Sequence, residues 1–256
     1  MHNKPQLFTD SYIMFRRSFT KMLRSPETMI MATLVPVAMM TLFGFVFGGI
    51  TDLGDINYLD FIVPALILQC VANASSTTGM GVYQDLSTGI IDRFRTMPIA
   101  KSAFLAGHVA VSLIRNAIIA AVTVGAGLAI GFRPSAGPVE WLIVTGILLL
   151  FILAITWIVV IFGLMVKDAE ALSGISFLLT MFTFLSSGFA PTDTLPTALR
   201  IFAEHQPMTP IIDSLRALML GFPLGNEIWI ALAWCVGMII GAFIIALRIY
   251  KKKLTQ

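Results

Sequence analysis

Few side chains in this chain are able to do chemistry, and their spacing excludes most catalytic arrangements. His2, His108 and His205 are scattered, so no two of them stand at metal-ligand spacing. Cys70 and Cys235 each sit inside an apolar run with no CxxC partner, which makes them small packing residues. No Gly-Lys pair occurs anywhere, so the GxxxxGK[ST] loop is absent and ATP has no P-loop to bind. An intramembrane serine protease would need Ser186-Ser187-Gly188 and His108 on facing helices, and each has an ordinary structural reading. What remains is polarity embedded in apolar sequence. Arg115 interrupts an otherwise uncharged run, and an arginine in hydrocarbon is costly. It reads either as structurally paired or snorkelling, or as a substrate contact. A second run carries Gln69, Asn73, Ser75, Ser76, Thr77, Thr78, Gly79 and Gly81. Small and hydroxyl residues at that density read as a close helix–helix interface or as the lining of a pathway.

The elements that hold these residues follow from composition. The 256 residues are 57% hydrophobic and 12% charged, where a soluble domain carries about 25% charged residues. Mean hydropathy is +0.88. The net charge of +3, from 17 basic and 14 acidic residues, is too small a bias to indicate nucleic acid. The first 27 residues hold five Lys/Arg and two acids and lack the short apolar core of a cleaved signal.

A bilayer core needs about 20 apolar residues in a helix. Runs of that order lie at about 28–50, 61–83, 104–131, 141–166, 171–190 and 228–247. Continuous apolarity excludes an alternating barrel, and a lipid-facing backbone must satisfy itself, so each is expected to be a helix. The expected fold class is an all-α integral membrane protein. Six transmembrane helices within 28–247 follow an amphipathic interfacial helix, and a short helical hairpin precedes the last span. With the N-terminus in the cytoplasm, 13 of the 17 basic residues fall inside, including the tail at 248–256, and both termini are cytoplasmic.

The amphipathic segment, 6–25, sets Phe8, Tyr12, Phe15, Phe19, Met22 and Leu23 at helical spacing against Arg16, Arg17, Lys21 and Arg24. That pattern fits a helix in the inner leaflet interface, with packing on a soluble partner as the alternative. Ser25-Pro26-Glu27 then reads as a cap, a first-turn proline and a first-turn acid. Pro36 and Pro64 would loosen the first and second spans. The loop at 85–97 is the longest cytoplasmic connection, with a one- or two-turn helix over Ile90, Ile91 and Phe94 ended by Pro98. The next inner loop, Lys167-Asp168-Ala169-Glu170, is tight. The outer segment 192–220 is rich in proline: one short helix starts near Asp193 or Thr194 and stops at Gln206-Pro207. Another starts at Thr209-Pro210, carries Asp213 and Arg216 and ends at Gly221. Two amphipathic helices bent at the outer interface account for it, as a structural lid or as a gate, with a re-entrant dip as a further option.

These pieces, in this order, resemble the membrane subunits of type-2 ABC exporters. The run from Asp85 through Gly89, Asp92, Arg93, Arg95, Met97 and Pro98 is similar to that family's cytoplasmic loop. Ser187-Gly188-Phe189-Ala190-Pro191, Leu195-Pro196, Gln206-Pro207-Met208-Thr209-Pro210 and Asp213-Ser214-Leu215-Arg216 look like its C-terminal signature. The wording is nearest the drug-efflux branch typified by the daunorubicin exporter permease.

The resemblance implies a transport subunit that is not itself an enzyme. It would pair with two copies of a separate ABC ATPase, which binds the ATP and Mg, and with a second permease copy or a paralogue. Asp85, Gly89, Asp92, Arg93, Arg95, Met97 and Pro98 would couple to the ATPase, with Lys167, Asp168 and Glu170 beside them. The family loop often opens on Glu where this chain has Asp85. Pro36, Gln69, Asn73, Ser76, Thr77 and Arg115 would line the pathway or the face between copies. Pro191, Pro196, Pro207, Pro210, Asp213 and Arg216 would form the outer gate hairpin. The cargo would be a small amphiphile, a drug or antibiotic first and a lipid-linked polysaccharide or lipid second. A secondary carrier or a channel is the reading from another class. A carrier would show charged pairs at mid-membrane or matching halves, and the chain has neither.

Overall fold

The computed structural model describes residues 7–24, 26–47, 56–88 and 103–255, and all the long regular elements are helices. In chain order they are α1 (Leu7–Leu23), α2 (Pro26–Phe47), α3 (Tyr58–Ser87), α4 (Ala103–Ile130), α5 (Pro138–Met165) and α6 (Ala169–Phe184). A 3-10 turn at Thr192–Thr194 follows, then α7 (Thr197–His205), α8 (Met208–Leu220) and α9 (Glu227–Thr255). Five of them, α2 to α5 and α9, are long and apolar enough to cross a membrane. The protein is an all-α, multi-pass membrane protein.

Helix ends follow local chemistry. Asn57 caps α3 by accepting from the Leu59 amide at 3.1 Å, and Asp168 caps α6 by accepting from Ala171 at 2.8 Å. Pro138 opens α5, where its missing N–H costs nothing. Gly221 closes α8 at φ 74°, a conformation that an L side chain rarely adopts. Pro36 and Pro64 lie inside α2 and α3, which run through them as unbroken helices.

α3 is the axis of the bundle, buried on all sides by α2, α4, α5, α6 and α8. Its Ile62, Leu66, Ile67 and Leu68 are fully buried in the main core, with Phe151 and Ile152 of α5 and Ile211, Ile212 and Leu215 of α8. A second cluster joins Val82, Leu105, Leu164 and Tyr250 near the opposite ends of α3, α4, α5 and α9. α2 and α9 point apolar side chains such as Leu34, Phe45, Trp229 and Ile240 outward, as lipid-facing helices do.

Three elements differ from the sequence expectation. α3 continues to Ser87, four residues past the expected end of the second span, because nothing before Thr88-Gly89 breaks the helix. Asp85 therefore lies on its last turn, not at the head of a loop. α6 has 16 residues where a run of 171–190 was expected, because the chain turns at Leu185 and continues irregularly through Ser186 and Ser187. α8 is not a surface helix: Met208, Ile211, Ile212, Leu215 and Met219 are buried in the core. Its apolar residues are numerous enough to pack against α9, α5 and α3 together.

Candidate functional site

Asp85 stands at the end of α3 from which the chain leaves toward α4. Its carboxylate is 5% exposed and is shared by three cationic or titratable groups. Arg17 of α1 donates from Nη1 and Nη2 to its two oxygens at 2.9 and 3.1 Å. His108 Nε2 of α4 lies 3.0 Å from Oδ2, and Lys21 Nζ lies 4.0 Å from Oδ1. The fork–fork geometry of Arg17 fixes direction as well as charge. The bonded carboxylate in turn holds the Arg17 guanidinium above its ordinary value. α1 reaches this position because it lies against α4, where Gly107 leaves room for Met14: a Cβ on Gly107 would come within 2.8 Å of the Met14 side chain. Met14 and Met22 are buried there, while Tyr12, Ile13 and Leu23 face outward.

Beneath Asp85 is a cavity of about 480 Å³ between α1, α3, α4 and α6. Lys21, Gln84, Asp85 and His108 line one end and Ser76, Thr77, Ser173 and Ser176 its wall, with Arg115 facing into it. Arg115 Nη2 donates to Thr78 Oγ1 at 2.6 Å and to the Ala74 carbonyl at 3.1 Å. Thr78 continues the chain to Ser112 at 2.9 Å, Ser112 lies 2.9 Å from Thr156, and Asn116 donates to Ser112 and Ser75 at 3.1 and 2.9 Å. Buried polar groups need partners, and this run of bonds supplies them across α3, α4 and α5. Arg115 Nε, Asn116 Oδ1 and Gln69 Oε1 are buried without one among the described residues.

A different network forms at the other end of α3. Arg216 of α8 donates to Asp213 at 2.7 Å, to the Ser187 carbonyl at 2.7 Å and to the Phe61 carbonyl at 3.1 Å, and its guanidinium covers the Phe61 ring at 3.9 Å. Ser187 donates to Asp213 at 2.7 Å. Burial pushes the Asp213 carboxyl up and the Arg216 guanidinium down, and their mutual attraction opposes both shifts. Asp60 accepts from the Arg133 amide at 3.0 Å at the same end.

The sequence-derived residues therefore divide. Asp85 is held in a network with Arg17, Lys21 and His108. Lys167 and Asp168 lie on the exposed turn between α5 and α6, and Glu170 is exposed in the first turn of α6; Tyr83 donates to the Lys167 carbonyl at 3.2 Å, and Asp168 is occupied as the α6 cap. Gly89, Asp92, Arg93, Arg95, Met97 and Pro98 lie outside the described residues. Ser76, Thr77 and Arg115 meet at the cavity. Asn73 accepts instead from Thr180 of α6 at 2.9 Å, Gln69 is buried in α3, and Pro36 is buried in α2. Pro191, Pro196 and Pro207 stand immediately before the 3-10 turn, α7 and α8, and Pro210 is buried in the first turn of α8. Sequence reasoning missed Arg17, Lys21, Ser112, Asn116 and Thr156 as members of these networks. The signals in the sequence were Arg115 within an uncharged run and the polar stripe from Gln69 to Gly81.

Residues 9–220 match the family described as ABC-2 type transporter. The daunorubicin resistance ABC transporter permease protein DrrB1 of Streptomyces coeruleorubidus is 28% identical over 229 residues, 89% of this chain and 81% of the relative. The "Probable doxorubicin resistance ABC transporter permease protein DrrC" of Mycobacterium tuberculosis is 24% identical over 242 residues, 92% of this chain and 86% of that protein. A family match across most of the chain, on a multi-span helical bundle with no ATP-binding motif, identifies a non-catalytic membrane component: this chain belongs to the ABC-2 type transporter family.

Proposed function

We propose that the chain is the permease subunit of an ABC exporter that moves a small amphiphile, a drug or antibiotic as the names of its relatives indicate, outward across the cytoplasmic membrane. The motor is a separate ABC ATPase in two copies, which binds ATP and Mg, and a second permease copy or paralogue completes the pathway along α2, α3 and α6. The connection from Gly89 through Pro98 is the coupling element, with Lys167, Asp168 and Glu170 beside it. Pro191, Pro196, Pro207, Pro210, Asp213 and Arg216 belong to the outer gate.

The observation that carries this reading is the fastening at Asp85. The carboxylate ties the last turn of α3 to the second turn of α4 and to α1, on either side of the connection that would meet the ATPase. A displacement imposed there reaches two membrane helices as one body rather than dissipating in a hinge.

Six crossings with both termini cytoplasmic complete the proposal. α6 alone would span about 24 Å at 1.5 Å per residue, short of a hydrocarbon core of about 30 Å. The segment around it goes further: the Lys167 carbonyl is bonded to Tyr83 and the Phe189 carbonyl to Tyr58, at opposite ends of α3. Those two tyrosines are separated by about 37 Å of helix, which supports a full crossing by α6 and the irregular residues after it.

The test is ATP-dependent uptake of a fluorescent amphiphile into inside-out vesicles carrying the chain with its ATPase. Asp92→Lys with Arg93→Glu is expected to abolish uptake in a folded, inserted protein. Unchanged uptake with normal ATPase capture removes the coupling assignment, and uptake by the chain alone on an ion gradient makes it a secondary carrier.

A further inference from the structure

We infer that the cavity between α1, α3, α4 and α6 is a binding site for the anionic head of an amphiphile, a phosphate or carboxylate held between Lys21 at its mouth and Arg115 at its floor. Three observations converge on one ligand charge. Among the cavity's lining residues the sole carboxylate is Asp85, and it is already shared by Arg17, Lys21 and His108. Arg115 has no acidic partner among the described residues, and its Nε is buried with no hydrogen-bond acceptor. The two acceptors it does have, Thr78 Oγ1 and the Ala74 carbonyl, are neutral. A buried guanidinium in a low-dielectric bundle is costly until a counter-charge meets it.

The wall between the two cations is lined with hydroxyls. Ser173 offers a hydroxyl to an anionic oxygen, and Ser76, Thr77 and Ser176, which donate to the carbonyls of Ala72, Ala74 and Leu172, would turn from those bonds to do the same without adding charge. Arg115 lies two helical turns along α4 from His108, about 10 Å deeper than Asp85. A headgroup entering past Lys21 would thus move from one cation to the next along a polar wall. The outward-facing basic surface of α1, with Arg16, Lys21 and Arg24, extends the same potential to the level where headgroups lie. A cationic amphiphile would meet like charge at both ends.

This inference depends on the export reading only for the cavity's direction of use. Binding is measured on the full-length chain without ATPase, so failure of transport leaves it standing. The probes are short-chain phosphatidylglycerol, phosphatidylcholine with the same acyl chains, inorganic phosphate and an alkyl-ammonium amphiphile, read by native mass spectrometry and by displacement of a spin-labelled phosphatidylglycerol.

Saturable retention of phosphatidylglycerol at least tenfold above phosphatidylcholine is expected, with no competition from alkyl-ammonium. Displacement by millimolar phosphate assigns the site to free anions as well as headgroups, and its failure assigns it to lipid-borne headgroups; either supports the site. Arg115→Gln is expected to weaken binding tenfold or more. Because Arg115 also bonds α3, the exposed Lys21→Gln is the second variant, expected to weaken binding about threefold. Arg200→Gln removes one cation far from the cavity and is expected to change nothing. Equal retention of the two lipids overturns the inference, and so does equal weakening by Lys21→Gln and Arg200→Gln.

Discussion

At the scale of residues, Asp85 has more partners than one carboxylate usually holds, and its contacts are unequal. The Arg17 bonds are bidentate, but the Arg17 side chain is 40% exposed, so solvent screens much of that attraction and about 1 kcal/mol is the reasonable yield. His108 is 11% exposed, and its bond to Asp85 forms in a drier setting where a hydrogen bond to a charged group contributes about 1.5–3 kcal/mol. Asp85→Asn is therefore expected to lower stability by about 2–3 kcal/mol and Arg17→Gln by about 1 kcal/mol. The thermal midpoint of the detergent-purified protein checks this, and a larger loss for Arg17→Gln would show that α1 holds the end of α3 directly. Asp85 was legible as a polar stop after an apolar run. Its partners were not, because Arg17 and His108 are 68 and 23 residues away and only the packing of α1 on α4 brings them together.

Among the elements, contact of α3 with α5 depends on two glycines. A Cβ on Gly79 would come within 2.8 Å of the Val159 carbonyl, and one on Gly163 would collide with the backbone of Gly79. Neither obstacle is a flexible side-chain tip, so the helices themselves would have to separate. Gly163→Ala is expected to cost about 1–3 kcal/mol from overpacking. Gly146→Ala, on the same helix with open space around it, should be neutral or gain up to about 1 kcal/mol from helix propensity. Comparing the two midpoints isolates the close approach, and equal midpoints would rule it out. The density of small residues in α3 pointed to such an interface, but not to which partner helix it served.

α8 taught the opposite lesson. Its bounds were readable to within a residue from Thr209-Pro210 and Gly221, while its depth was not, because an amphipathic stripe fits an interface as well as a core. Arg216 fixes that depth by reaching α3 and the turn after α6 at once. Arg216→Lys is expected to lose about 2–3 kcal/mol despite keeping the charge, since an ammonium cannot serve the three acceptors or cover the Phe61 ring in the same geometry. An unshifted midpoint in that variant would mean the network contributes charge alone.

For the whole molecule, the proposal turns on which side of the membrane each end of α3 faces. Arg17, Lys21 and Asp85 gather at one end, and the Asp213–Arg216 pair with Asp60 and Arg133 at the other. In the proposed orientation the excess of lysine and arginine puts the first end in the cytoplasm. Tyr83 and Tyr58 hold Lys167 and Phe189 at opposite ends of α3, so the same proposal puts Lys167 inside and Phe189 outside. Five crossings would instead leave Lys167 and Asp193 on one side, since α6 would not traverse. Cysteines introduced as Lys167→Cys and Asp193→Cys separate the two cases, because both positions are exposed while the native Cys70 and Cys235 are buried. With a membrane-impermeant maleimide, Asp193→Cys is expected to label in intact cells and Lys167→Cys only in inside-out vesicles. Labelling of both from one side would reduce the bundle to five crossings and move the α9 tail, with Lys251, Lys252 and Lys253, out of the cytoplasm.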